Sequence, residues 1–309
     1  MAIVKDGRAE AIATATLTLL PSLEQLIALN SSMPAISNLP TPVAMTIAGS
    51  DSGGGAGIQA DLRTFSFHRV HGTSALTCIT AQNTQGVTRV DALPPASVVA
   101  QISAVVDDIG VQAVKTGMLL NQEIIAAVVQ QAIALSLPNL VVDPVMVSRT
   151  GAQLIADEAI ATLRTDLIPL AKLITPNRYE AQILSGMEIH TLTDLQQAAQ
   201  QILKTLGAQA VLVKGGGMAG DLRGVDVFWD GDRLETLRTV TVNTTDTHGT
   251  GCTLSAAIAA NLALGQELFP AVQQAKAYVT SALHHALRIG NGQGPIGHFF
   301  PLLNQANGW

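Results

Sequence analysis

Cysteine is nearly absent: the 309 residues contain two, Cys78 and Cys252, and neither stands in a Cys-x-x-Cys or Cys/His spacing. That argues against a disulfide framework and against a structural zinc, and a chain of this length can bury a core without either. Charge is scarce too. Charged residues make up 13% of the chain, and 17 scattered Lys and Arg residues face 23 Asp and Glu, for a formal net charge of −6. With no basic cluster there is no footprint for a nucleic-acid backbone. No apolar run approaches the roughly 18 residues of a membrane span. The opening stretch, MAIVKDGRAEAIATATLTLL, carries Asp6 and Glu10 and lacks the apolar core and cleavage site of a secretion signal. A cytoplasmic protein is expected. Internal repeats and low-complexity tracts are missing, and no lysine follows a glycine, which argues against a Walker A phosphate loop.

What the chain does have is apolar material: hydrophobic residues are 48% of it and mean hydropathy is +0.33, enough for one large core. Residues 1–40, which run into the Ser-, Asn- and Pro-rich NSSMPAISNLPTP, read as a flexible N-terminal extension, with Met33 as an alternative start. Residues 41–309 read as the globular domain. There, short β-branched runs such as VAMTIAG, NLVVDPVMV and AVLVKGG alternate with amphipathic stretches at 96–109, 121–136, 155–168, 178–186 and 193–206. That is the βαβ pattern of a parallel sheet covered on both faces. Over 224–242 the spacing shortens and predicts a hairpin around Asp230-Gly231 and then another strand. Helices are expected over 250–264 and 268–288.

Two Gly-rich segments each follow a strand and open a helix: AGSDSGGGAGIQADL at 48–62 and THGTGCTLSAA at 247–257. At such a place backbone N–H groups and the helix dipole collect an anion. The first contains Gly55-Ala56-Gly57-Ile58-Gln59-Ala60, which fits GxGxxA. The acid that a dinucleotide ribose needs about 20 residues later is missing from SALTCIT at 74–80, so a dinucleotide oxidoreductase is disfavoured. Tight packing alone also explains such turns, since glycine adopts positive φ at little cost. Cys252 has two readings. A lone cysteine is commonly a small buried hydrophobe. At a helix start among N–H donors, however, the dipole favours thiolate and lowers the thiol pKa. A thiolate there can take a proton from a substrate hydroxyl while neighbouring N–H groups hold a transferring phosphoryl group.

In order along the chain, TIAGSDSGGGAGIQADLRTF at 46–65, TAQNTQGV at 80–87, KTGML at 115–119, VVDPVM at 141–146, LITPNRYEA at 173–181, VLVKGG at 211–216 and THGTGCTLSAAIAA at 247–260 form a set. The set resembles the hydroxymethylpyrimidine/phosphomethylpyrimidine kinases of thiamine biosynthesis, in the ribokinase superfamily. The Gly-Thr-Gly-Cys turn separates that branch from sugar kinases, which carry aspartate at the cysteine position, and GQGPIGHFF at 292–300 is similar to the family's ending. The resemblance implies a ribokinase-like three-layer α/β/α sandwich around a central, mostly parallel sheet. It also implies phosphorylation of 4-amino-5-hydroxymethyl-2-methylpyrimidine, then of its monophosphate, with ATP and Mg2+, by a homodimer.

Position by position, the resemblance makes Gly249, Gly251 and Cys252 the anion hole, with Cys252 as base. Gln82 would hydrogen-bond the pyrimidine, since an amide offers a donor and an acceptor to an aminopyrimidine edge. Met118 and Val145 would wall the ring and Asp61 would lie near it; strand-end packing explains Met118 and Val145 equally well. Asn177, Glu180, Lys214, Thr250 and Asp143 would serve the nucleotide, and Glu180 and Asp143 would hold Mg2+ through water. Lys115 and Lys214 stand at strand ends where a cation can meet a phosphate. Asp246, often Asn in the family, brings an acid near the expected phosphates. A pyridoxal or pyridoxine kinase of the same superfamily and a non-catalytic pyrimidine-binding paralogue are the alternatives.

Overall fold

The computed structural model describes residues 41–147 and 153–303; the expected N-terminal extension lies outside them. The described strands are β1 (Val43–Asp51), β2 (His71–Asn83), β3 (Gly86–Ala92), β4 (Ala113–Thr116), β5 (Leu140–Val142), β6 (Leu173–Ile174), β7 (Val211–Val213), β8 (Asp226–Trp229) and β9 (Leu234–Leu237). They form one sheet in the order β3-β2-β1-β4-β5-β6-β7-β8-β9. The strands from β2 to β7 are parallel, while β3 at one edge and β8 and β9 at the other pair antiparallel.

Strand side chains alternate between faces, and here both faces are buried. Ala44 and Met45 of β1, Ala113 and Val114 of β4, and Val141 and Val142 of β5 each divide between two separate core clusters. A strand covered on both sides needs an apolar residue at every position, which is why these segments read as continuous hydrophobic runs. The covering helices are α1 (Gly57–Phe67), α2 (Pro95–Asp108), α3 (Gln122–Ala134), α4 (Asp157–Thr162), α5 (Arg178–Ser185), α6 (Leu192–Leu206), α7 (Thr250–Ala263) and α8 (Leu268–His284). Helices α2 to α6 supply one cluster, and α1, α7 and α8 the other. Three layers result, as expected. In α7 every residue from Thr253 to Ala263 is buried. Its small side chains let it lie on β1, β4 and β5 with α1 and α8 beside it, and this fixes the Gly-Thr-Gly-Cys turn at the carboxyl edge of the sheet.

Three expectations need correction. The helix predicted over 155–168 is α4 alone, followed by a π turn at Leu163–Leu167 and a 3-10 turn at Ile168–Leu170; Pro169 cannot donate the next α-helical hydrogen bond. The strand predicted after the hairpin does not form: 239–242 carry no strand pairing and Val240 is 75% exposed. β3 was not anticipated, because every one of its residues is exposed and no apolar alternation marks it. No helix among the described residues is long and apolar enough to cross a membrane.

Candidate active site

The two glycine-rich turns meet at the carboxyl ends of the strands. Gly249 caps α7 at φ +83, and a Cβ there would run into the carbonyl oxygen of Gly55, so only glycine fits. Asp51, 3% exposed, organises the first turn. Its Oδ1 accepts from Gly53 N at 2.8 Å, and its Oδ2 accepts from Ala56 N at 2.8 Å, Gly55 N at 3.1 Å and His248 Nε2 at 2.8 Å. Burial pushes this carboxyl up, but His248 and the N–H groups of Ala56 and Gly53 outweigh it and hold Asp51 below the usual carboxylate range.

Cys252 lies in the first turn of α7, with the N–H of Gly57 bonded to its sulfur. The thiol does not have the lowered pKa expected of a helix start. Burial pushes it up to about 11; Lys115 and the Gly57 N–H oppose that, while Asp61 and Asp143 add to it. Desolvation and two nearby carboxylates outweigh the dipole, so the free protein keeps the proton on sulfur.

Beneath the turn, Lys115 is wholly buried and donates to Asp61 Oδ2 at 2.9 Å, and Thr46 Oγ1 donates to the same oxygen at 2.6 Å. Asp61 and Lys115, each 0% exposed, are thus paired with one another below the turn. Burial raises the Asp61 pKa against the pull of Lys115. One strand further on, after β5, Asp143 Oδ1 accepts from Lys214 Nζ at 2.8 Å and from Thr175 Oγ1 at 3.1 Å, and its Oδ2 accepts from Ser255 Oγ at 3.3 Å. A Cβ on Gly251 would stand 3.3 Å from Lys214 Nζ, which places the ammonium against the α7 turn.

The Asn-x-x-Glu pair forms a capping box on α5. Asn177 Oδ1 accepts from Glu180 N at 3.0 Å, and Glu180 Oε2 accepts from Asn177 N at 2.7 Å. Burial pushes Glu180 up to about 8, with Lys214 opposing and Asp143 adding to the shift.

Beside this cluster lies a cavity of about 260 Å³. Its lining includes the polar Asn177, Lys214, Thr250 and Gly251, the apolar Val240, Val242, Val279 and Leu283, and the cations of Arg178 and Arg223. Sequence reasoning missed Arg178, Tyr179, Arg223, Lys276 and the 239–242 segment, which come from four separate stretches with no shared spacing. Gln82, Met118 and Val145 stand on the same edge of the sheet but outside that lining. Gln82 is tied to Ser52 through two hydrogen bonds, of 2.7 and 2.8 Å. Met118 Cε packs by Gly49, and Val145 N donates to Asp143 O at 2.9 Å. Asp246 does not line the cavity; its Oδ1 accepts from Gly294 N at 2.9 Å and so anchors the C-terminal loop.

A parallel sheet whose strand ends carry two opposed glycine-rich helix starts, a lysine against one of them and a cavity alongside defines a ribokinase-like small-molecule kinase. The family model for phosphomethylpyrimidine kinase matches residues 51–297, and the chain belongs to that family. It is 62% identical over 262 residues to a hydroxymethylpyrimidine/phosphomethylpyrimidine kinase of Synechococcus elongatus, covering 85% of this chain and 99% of the relative. Its counterpart in Bacillus subtilis is 45% identical over 264 residues, covering 85% and 97%. Among solved structures, an ADP complex of Bacillus subtilis pyridoxal kinase superposes with a TM-score of 0.80 at 41% identity, covering 85% of this chain and 100% of that one. Phosphomethylpyrimidine kinase from Clostridium difficile superposes at 0.70 and 44% identity, covering 78% and 99%.

Proposed function

We propose that this kinase transfers the terminal phosphoryl group of ATP to the hydroxymethyl group of 4-amino-5-hydroxymethyl-2-methylpyrimidine, and then phosphorylates the monophosphate to the pyrophosphate. The observation that carries it is that Lys214 and, from the Gly-Thr-Gly-Cys turn, Thr250 and Gly251 line the cavity, on the sheet edge that holds Gln82 and Met118. In-line phosphoryl transfer asks mainly for positioning and charge stabilisation. Free N–H groups at Gly251 and Cys252 would hold the transferring group, with Gly249 giving the turn its shape. Lys214, Asn177 and Thr250 would hold the phosphates of ATP, and Gln82, Met118 and Val145 the ring.

Asp143 and Glu180 are buried hard oxygen donors, bonded to Lys214 and Asn177 of the cavity lining. They suit Mg2+, an ion that keeps several waters and takes its other ligands from phosphate oxygens. When bound, that ion would neutralise charge on the phosphates. Glu180 is poised for this: a neighbouring cation favours the carboxylate that burial disfavours. Cys252 is the proposed base, and it must lose its proton on the way to the reactive complex. The α7 N-terminus, the Gly57 N–H and Lys115 are the groups that stabilise the resulting thiolate. Asp61 acts through Lys115. A homodimer and a cytoplasmic location complete the reading.

Pyridoxal is the second reading, favoured by the higher structural similarity to a pyridoxal kinase. The pyrimidine is preferred because the 62% identity spans a relative of that name almost end to end. The test is mass spectrometry of products after incubation with Mg-ATP and the pyrimidine. Monophosphate followed by pyrophosphate is expected; no phosphorylated product from folded protein contradicts the proposal.

A further inference from the structure

Gln82 sits between two partners whose hydrogen-bonding capacity is already committed. Asp51 Oδ2 accepts from Gly55 N and Ala56 N, and it lies 2.8 Å from His248 Nε2. A carboxylate can only accept, so Nε2 carries a proton. Thr80 Oγ1 donates its single proton to Ser50 O at 2.8 Å. Against these stand Gln82 Nε2, 3.4 Å from His248 Nε2, and Gln82 Oε1, 3.2 Å from Thr80 Oγ1. The first contact opposes two donors, and the second opposes an acceptor to a hydroxyl with no proton left. Exchanging the amide oxygen and nitrogen, which occupy the same shape, lets the oxygen share the one His248 Nε2–H with Asp51 as the longer branch of a three-centre bond, and gives Thr80 Oγ1 a donor.

We propose that Asp51 and His248 are a positioning pair that fixes the Gln82 amide with its oxygen toward His248 and its nitrogen toward Thr80, and that this order selects the ring. The inference rests on the reading of Gln82 as the ring-binding amide. In that order one oxygen lone pair and one N–H stay free side by side. An amino group next to a ring nitrogen matches both; a hydroxypyridine ring offers no such adjacent pair. The geometry is stiff. Asp51 is clamped by the first glycine turn, and a Cβ on Gly55 would run into the His248 ring, so the imidazole is wedged against that turn.

Two measurements on the full-length protein test this. Nitrogen-15 NMR of the histidine rings should show His248 protonated at Nε2; an unprotonated Nε2 overturns the proposal, whatever the variants do. In steady-state kinetics, His248→Leu should raise the pyrimidine KM about tenfold, the worth of one lost hydrogen bond. The ATP KM, the kcat and the efficiency on pyridoxal should stay within about twofold, so that ring preference falls about tenfold. His248→Gln, which keeps an N–H donor, should recover most of the loss. An unchanged pyrimidine KM and ring preference in folded His248→Leu also overturns it. Wild-type protein that phosphorylates no pyrimidine defeats the parent reading instead, and the His248 proton still decides whether the pair exists.

Discussion

Cys252 combines a helix start, which favours thiolate, with burial beside two carboxylates, which does not, and the balance is measurable by its reaction with iodoacetamide. Alkylation runs through the thiolate. A thiol at about 11 is ionised to roughly one part in a thousand at pH 8, against about a quarter for an unperturbed cysteine near 8.5. Cys252 should therefore react about two hundred times more slowly than a peptide thiol at that pH, with the rate rising about tenfold per pH unit toward pH 10. Peptide mass spectrometry across pH 6–10 reads this directly. Cys78, fully buried and itself raised by desolvation, should stay unmodified and so report that the protein is folded. An inflection for Cys252 at or below about pH 8 would refute the argument, because the helix dipole would then outweigh desolvation.

Cys252→Ser should lower kcat by at least about a hundredfold with a small change in pyrimidine KM, the usual size of a lost general base; near-normal kcat removes Cys252 from that role. Gly249→Ala places a side chain at positive φ and into the Gly55 carbonyl, so a destabilisation of about 2 kcal/mol or more is expected, read as the denaturation midpoint. Glu180 binds a proton in the folded state up to about pH 8 that the unfolded chain releases near 4.5. Stability therefore falls as pH rises through that window, by at most about 5 kcal/mol. Glu180→Gln keeps an acceptor for Asn177 N and should flatten the fall in Tm between pH 5 and 8; equal slopes in the two proteins would contradict the assignment.

Elements buried on both sides, or carrying a local cap, were legible in the sequence. The runs that became β1, β4, β5 and β7 could be read because a doubly covered strand admits little but apolar residues. Helix α6 could be read because Thr191 and Asp194 close a capping box and Gly207 ends it at φ 75. β3 and the 239–242 segment were misread for one reason: exposed residues carry little pattern. The site divides similarly. Lys214 and Asp143 could be nominated because they stand at strand ends, where an open α/β sheet binds ligands, and Asn177 because it opens an Asn-x-x-Glu spacing. The mutual burial of Lys115 and Asp61, 54 positions apart, and the Asp51–His248 contact across 197 positions needed the fold. The thiol pKa was misjudged because the helix start is visible in sequence while the desolvating contacts are not.

The most direct test of the proposed activity is an internal competition: wild-type protein, Mg-ATP, and equal concentrations of the hydroxymethylpyrimidine and pyridoxal in one vessel, with products resolved by mass. Product ratios then report the ratio of kcat/KM free of differences between preparations. The account predicts that pyrimidine monophosphate forms first and in excess and is then converted to the pyrophosphate. Excess pyridoxal phosphate, or a pyrimidine monophosphate that never advances, would contradict it.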